Sequence, residues 1–169
     1  MSIGKVNAMK RLQIMKTLSD FKIPFSVVEH PPAATIEEID HFNLPNSQAI
    51  VKNLFLRDDK KKNYYLMVVN KNKTVNLKEL RNLLGSRPLS FASEADLQCY
   101  LGLKKGEVTP LGLLNDADCR VCLVLDRDIM AYPVVGVHPN ENTATLWLSP
   151  FDLRMLIEKH GNAVITLKI

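Results

Sequence analysis

The stretch "NLFLRDDKKKNYYLMVVN", Asn53 to Asn70, decides how this chain folds. Its two apolar runs, "NLFLRD" and "YYLMVVN", are rich in bulky apolar, aromatic and β-branched residues and flank a polar "DKKKN". Runs of that kind form strands, and a short charged segment between them turns the chain back, so a β-hairpin is expected. Further strands are expected at "FSVV" (25–28), "RVCLVLD" (120–126), "VVGV" (134–137), "ATLWLS" (144–149) and "AVITLKI" (163–169). The loop "HPNENT" joins a second adjacent pair of them.

Helix signals punctuate these strands. Thr35 and Glu38 have capping-box spacing, and Asn76 with Glu79 repeats it in a looser form. "NLKELRNLLG" then runs to a stop at Gly85, and a short helix started by Ser93 ends at Gly102. Ser149 followed by Pro150 combines a cap with a proline at the first helical position, and "LRMLIEKHG" closes at Gly161. The N-terminal "MSIGKVNAMKRLQIMKTLSD" has an amphipathic helix pattern with charges throughout, unlike a signal peptide. Strands adjoin strands in some places and helices in others. That mixture predicts a single α+β domain over residues 1–169, with a mainly antiparallel mixed sheet flanked by helices.

Composition narrows the function classes. The chain has 169 residues, 46% hydrophobic and 24% charged, as in an ordinary soluble globular domain. No apolar run has the length of a membrane span. The cysteines, Cys99, Cys119 and Cys122, are odd in number, and "DCRVCLVLD" read as a strand points Cys119 and Cys122 to opposite faces. A reduced, cytoplasmic setting is therefore expected, without a disulfide framework. The net charge of +4 is unevenly spread: Val51 to Arg81 holds nine Lys or Arg against three Asp or Glu. Lys60, Lys61, Lys62, Lys71 and Lys73 are thus a candidate surface for the charges of an anionic polymer, with a solvated hairpin tip as the plainer reading.

The common catalytic signatures are missing: there is no Gly-x-Ser-x-Gly elbow, phosphate-binding P-loop or dinucleotide fingerprint. His30, His41, His138 and His160 do not have zinc-site spacing, and no metal or cofactor is expected. What remains is a set of loops at strand ends, where a rigid scaffold usually carries its site. One of them, "LGLKKGEVTPLGLLND" (101–116), holds Gly102, Gly106, Pro110 and Gly112. Local rules leave it open whether these are turns or a ligand-holding loop.

The pieces "HPPAATIEE", "VKNLFLRD", "YYLMVV", "LSFAS", "LGLKKGEVTPLGLLND" and "HPNENTATLWLSPFDL" occur in this order. Together they resemble the YbaK/prolyl-tRNA synthetase editing-domain superfamily, and within it the free-standing prolyl-tRNA synthetase-associated branch. The resemblance implies a trans-editing deacylase that hydrolyses mischarged Ala-tRNA(Pro). A synthetic site rejects a smaller apolar side chain by only about 1–3 kcal/mol per missing methylene, so a second, hydrolytic sieve is needed. The tRNA is the implied partner, with prolyl-tRNA synthetase or an elongation factor as further candidates. Cys-tRNA(Pro) as substrate, or a non-catalytic tRNA- or synthetase-binding module, are the alternatives.

The resemblance also assigns residues. Lys52 matches the functional lysine, anchoring the terminal phosphate or ordering the aminoacyl end. Gly106 and Pro110 match a Gly-x-x-x-Pro loop, and Gly112 falls where backbone amides would face the scissile carbonyl. Asn115 and Asp116 continue that pattern, although Asp116 could equally cap a helical turn. His138 would orient the ester or a water, and Asn142 and Thr143 would fix its loop. Thr35 would stand beside the aminoacyl pocket, with His30 and Pro31 at its rim. With neither nucleophilic triad nor metal, the implied chemistry is substrate-assisted, the terminal 2′-hydroxyl helping to position water.

Overall fold

The computed structural model describes residues 3–169, which run in the order α1 (Ile3–Asp20), β1 (Phe25–Glu29), α2 (Ile36–Asp40), β2 (Val51–Asp58), β3 (Tyr64–Asn70), α3 (Leu77–Leu84), β4 (Leu89–Phe91), α4 (Glu94–Leu101), β5 (Val121–Asp126), β6 (Val135–Val137), β7 (Ala144–Leu148), α5 (Pro150–His160) and β8 (Val164–Leu167). Short 3₁₀ turns cover Ser47–Ala49, Pro110–Asn115 and Arg127–Ala131. Met1 and Ser2 of the expected N-terminal helix lie outside the described residues.

The expected caps are in place. Thr35 and Glu38 exchange both bonds of a capping box at the start of α2, and Ser93 and Asp96 do so at α4. The Asn76 side chain accepts from Lys78 and Glu79 to start α3. Ser149 accepts from the Phe151 amide at α5. Gly85, Gly102 and Gly161 close α3, α4 and α5 in the left-handed conformation. Each cap satisfies an end group of its helix that would otherwise lack a partner.

The hairpin forms with Val51 opposite Asn70 and Arg57 opposite Tyr64. At its turn Asp58 is buried, and one carboxylate oxygen accepts from the amides of Lys60 (3.1 Å) and Lys62 (2.9 Å). The other oxygen accepts from the Asn63 amide group at 2.6 Å. Burial alone would raise the Asp58 pKa, but these bonds, led by the Lys62 amide, hold it below the ordinary carboxylate value.

Where one sheet is expected, the chain builds two. Five strands lie in the order β4-β2-β3-β5-β8, antiparallel from β4 to β3 and parallel from β3 to β8. A separate antiparallel sheet has the order β1-β7-β6. The two meet at an isolated bridge between Ile50 and Gly136. The three-residue β4, which sequence patterning does not reveal, pairs with the outer side of β2 and exposes two of its three side chains.

Both faces of the larger sheet are covered, which is why "YYLMVV" is continuous rather than alternating. Tyr64, Leu66 and Val68 enter a core shared with α1, α4, α5 and the smaller sheet. Met67 and Val69 enter a second cluster with Leu80 of α3. Each large apolar side chain removed from water contributes roughly 1.5–3 kcal/mol. Strand β5 begins at Val121, so Cys119 is not on it as expected; it lies in a turn with φ +51°. All three cysteines are free.

Candidate functional site

At the seam between the sheets, a cavity of about 180 Å³ opens beside α2. Its walls come from the start of α2 (Thr35, Ile36, Ile39), the first residues of β2 and the Gly106–Val108 loop, with His138 and Thr145 from the smaller sheet. Pockets for drug-sized ligands occupy roughly 300–1,000 Å³, so this one suits a small moiety. Its apolar walls and few polar groups fit an aliphatic fragment held by one polar end.

Lys52 is the second residue of β2, half-buried and lining the cavity. Among the described residues its ammonium has no ion-pair partner, so its charge is available to an anion or a carbonyl oxygen. Beside it, the Asn53 side-chain amide donates to the Val108 carbonyl at 3.0 Å. The Asn53 Oδ1 is buried and finds no partner among the described residues. A buried acceptor of this kind is costly unless a donor arrives to fill it.

The two histidines flank the cavity. His30 stacks on Phe42 with ring centroids 5.2 Å apart. Its Nδ1 lies 2.8 Å from the Pro31 carbonyl and must donate, so in the neutral ring Nε2 accepts from the Thr145 hydroxyl at 3.1 Å. His138 faces the Ala144 carbonyl through Nδ1 at 3.4 Å, which leaves Nε2 with its lone pair. Burial pushes the His138 pKa below the ordinary imidazole value, and the nearby His30 acts in the same direction. A neutral histidine with an open acceptor can take a proton from water or orient it.

Two contacts hold these parts together. The buried Thr109 hydroxyl donates to the His138 carbonyl at 2.6 Å, tying the glycine-containing loop to the histidine. Gly106 has φ +84°, and a Cβ there would stand 2.9 Å from the Ala34 Cβ. The loop therefore approaches the start of α2 as closely as a bare backbone permits.

A family model, the aminoacyl-tRNA editing domain, matches residues 30–156, which include both histidines, Lys52 and the Gly106 loop. The chain belongs to the aminoacyl-tRNA editing domain family. It is 42% identical over 156 residues to the prolyl-tRNA editing protein ProX of Acetoanaerobium sticklandii, covering 92% of this chain and 95% of that one. It is 38% identical over 165 residues to the mouse prolyl-tRNA synthetase associated domain-containing protein 1, covering 93% and 95%. Among solved structures, it is similar to a candidate trans-editing enzyme for prolyl tRNA synthetase, with a TM-score of 0.72 and 25% identity. That match covers 95% of this chain and 97% of the other.

Within this editing domain, Lys52, His138, Thr35 and Gly106 meet at the cavity, although they are separated by up to 103 positions in the chain (138 − 35). His30 reaches it through Thr145. Pro31 is exposed and contributes its carbonyl to His30. Asn142 serves through its backbone, its carbonyl accepting from the Ala33 amide at 2.9 Å.

Several expectations need correction. Gly112 does not line the cavity: its amide donates to the Thr109 carbonyl at 3.1 Å, and a Cβ there would lie 2.6 Å from the Leu103 Cδ1. It is a packing glycine under the core, not an oxyanion donor. Pro110 is buried at the start of the 3₁₀ turn, away from the cavity. Asn115 donates to the Leu101 carbonyl at 2.7 Å and so holds the end of α4. Asp116 is neither a helix-starting cap nor a ligand group; buried, it accepts from the Val121 amide and the Asn162 side chain, both at 2.8 Å.

The lysine surface also divides. Lys60, Lys61 and Lys62 sit at the hairpin tip, about 20 Å along β2 from Lys52 at the strand rise per residue. Lys71 pairs with Asp40, and its side chain is only 8% exposed. Lys73 bridges Asp126 and Asp128, both at 2.7 Å. Lys71 and Lys73 therefore bring little free charge to a phosphate. Asn53, Thr109, Thr145 and Gly136 were not singled out by sequence. Only Thr109, preceding Pro110 as a helix cap, carried a local signal.

Proposed function

We propose that this chain is a trans-editing deacylase that hydrolyses the ester of a small amino acid mischarged on tRNA, with Ala-tRNA(Pro) as its principal substrate. The observation that carries this reading is the 180 Å³ cavity, with apolar walls at Ile36, Ile39 and Val137 and the unpaired Lys52 beside them. An alanyl group would rest against the aliphatic walls, and its ester would lie near Lys52. The names of the relatives, an editing protein for prolyl-tRNA and a prolyl-tRNA synthetase associated domain protein, agree with the choice of tRNA.

In the reaction, water adds to the ester carbonyl and the bond to the ribose oxygen breaks. The proton lost by water reaches that oxygen, giving free alanine and an uncharged 3′ end. Lys52 would neutralise charge growing on the carbonyl oxygen or hold the adjacent phosphate. The neutral His138, with Nε2 open, would align water, and the terminal 2′-hydroxyl would complete its positioning. The protein would act in the cytoplasm, where its three unpaired cysteines stay reduced.

A deacylation panel of Ala-, Cys- and Ser-tRNA tests this, run with wild type and Lys52→Ala. Wild type should release alanine from Ala-tRNA(Pro) fastest, and the variant should lose about 10²–10³ in rate without losing its fold. A faster Cys-tRNA(Pro) reaction moves the specificity. Tight tRNA binding without hydrolysis of any member defeats the enzyme reading. A 2′-deoxy terminal adenosine should slow hydrolysis sharply, and an unchanged rate would remove the hydroxyl from the mechanism.

A further inference from the structure

Two loops wall the cavity, the Gly106–Val108 turn and the segment that begins at His138. Each carries a glutamate that no step of the deacylation uses. In the first, the Glu107 Oε2 accepts from the Lys104 amide at 3.3 Å and closes the turn in which Gly106 sits at φ +84°. In the second, Glu141 is fully buried. Its Oε2 accepts from both the amide and the hydroxyl of Thr143, each at 2.5 Å. The backbone around that contact reaches both histidines. The Thr143 carbonyl accepts from the His30 amide at 3.0 Å, and the Ala144 carbonyl faces the His138 Nδ1 at 3.4 Å.

Neither carboxylate is balanced from its own loop. Lys104 and Lys105, beside Glu107, are exposed and have no ion-pair partners among the described residues. Both cations come instead from consecutive residues of α1. The Lys10 Nζ lies 3.1 Å from the Glu107 Oε2, and the Arg11 Nη1 lies 3.8 Å from the Glu141 Oε1. Through Nη2, Arg11 also pairs with Glu29 of β1 at 3.0 Å. Adjacent side chains on a helix diverge by about 100°, so one turn of α1 reaches both loops. That helix is seated by Ile14 and Leu18 in the main core, and it precedes the residues 30–156 that match the editing-domain model.

Exposed ion pairs contribute little, whereas loss of one partner from a buried pair strands the other charge. Glu141 is in the second position. Its Oε1 makes no hydrogen bond among the described residues, and Arg11 is the cation that balances it. Without Arg11 the carboxylate would gain by turning towards water, and Thr143 would be drawn along with it. Misplacing a catalytic group by about 1 Å can cost about a hundredfold in rate. We propose that Lys10 and Arg11 are positioning residues, a clasp on α1 that holds the Gly106 turn and the His138 loop at their working separation. Neither lines the cavity; they act through Glu107 and Glu141. The inference rests on the editing reading, because the deacylation rate is what the clasp sets.

Variants assayed on Ala-tRNA(Pro) test the clasp. Arg11→Met should lower kcat about tenfold or more, keep KM within about twofold and shift the NMR resonances of the His138 ring. Arg11→Lys should recover most of the rate. Since Arg11→Met also strands a buried charge, the deciding protein is Arg11→Met/Glu141→Gln. It buries no charge there, and its amide oxygen can still accept from Thr143, so its Tm should return close to wild type. Its kcat should stay about tenfold low, because nothing then ties the loop to α1. Lys10→Met frees the cavity wall and should narrow the preference for alanine over serine on the same tRNA by about tenfold. Lys16→Met, which breaks the exposed Lys16–Asp20 pair on the same helix, should alter none of these. A double variant whose kcat returns with its Tm makes Arg11 a stabilising residue only and overturns the proposal. Full rate in Arg11→Met, or an unchanged alanine preference in Lys10→Met, overturns it as well. Failure of the editing reading shows separately, as folded wild type that hydrolyses no aminoacyl-tRNA.

Discussion

Replacing Gly106 by alanine should unsettle the site from a single atom. At φ +84° an L-residue costs about 1–2 kcal/mol. The new Cβ would also lie 2.9 Å from the Ala34 Cβ, a contact that no rotamer change can relieve, because both atoms are fixed to backbone. Overpacking of this kind costs about 1–3 kcal/mol, so Gly106→Ala should lose about 2–5 kcal/mol in all. For a chain of this size each kcal/mol lowers Tm by roughly 2–4 °C, giving a fall on the order of 4–20 °C by calorimetry. Turnover should drop as well, since the start of α2 has to retreat from the loop and Thr35 and Ile36 move with it. The two costs separate in a double-mutant cycle: Ala34→Gly removes the opposing Cβ and should recover the packing part of the loss, leaving the backbone part. A Gly106→Ala/Ala34→Gly protein no more stable than Gly106→Ala alone would refute this account of the contact.

Three further outcomes follow from other parts of the molecule. Gly112→Ala should cost about 1 kcal/mol through Leu103, whose methyl can partly turn aside, and should leave the rate constant of deacylation near wild type; a large loss of rate with an intact Tm would return Gly112 to the chemistry. His138 should stay neutral below the ordinary imidazole value of about 6.5, because burial disfavours its charged form. Below that pH the unfolded chain takes up the proton first, so His138 withdraws stability as pH falls from about 6.5 towards its lowered folded pKa. An NMR titration of the ring with a midpoint at or above 6.5 would contradict this. Reversing Lys60, Lys61 and Lys62 together should leave the salt slope of tRNA binding almost unchanged, whereas reversing Lys104 and Lys105 should flatten it; the opposite ranking, measured by filter binding across salt, would move the RNA path to the hairpin.

Local chemistry made much of the fold readable. The hairpin, the caps at Thr35, Ser93 and Ser149 and the stops at Gly85, Gly102 and Gly161 depend on neighbours a few positions apart, and those neighbours are visible in any linear reading. The way the two sheets meet depends on Ile50 reaching Gly136, 86 positions later (136 − 50), and nothing near either residue announces it. The site follows the same division. Lys52 and His138 were found because the segments around them resemble a family, not because either has a local signature. Gly112 was set facing the scissile carbonyl by the resemblance, whereas its close neighbour in the fold is Leu103, which no local rule identifies. Lys71 and Lys73 counted as free charge until Asp40, Asp126 and Asp128 came to them across the fold.

The glycine at the seam has an optical consequence. Gly136 lines the cavity, and a Cβ on it would lie within 2.6 Å of the six-membered ring of Trp147, so little but bare backbone separates the site from the indole. Trp147 is the chain's one tryptophan, it is buried, and its ring nitrogen has no hydrogen-bond partner among the described residues. All tryptophan emission of the protein therefore originates one residue's thickness from the cavity. A ligand that displaces water there or shifts β6 alters the surroundings of that single emitter, so the occupied and empty states can be told apart by their intrinsic colour, with no label added.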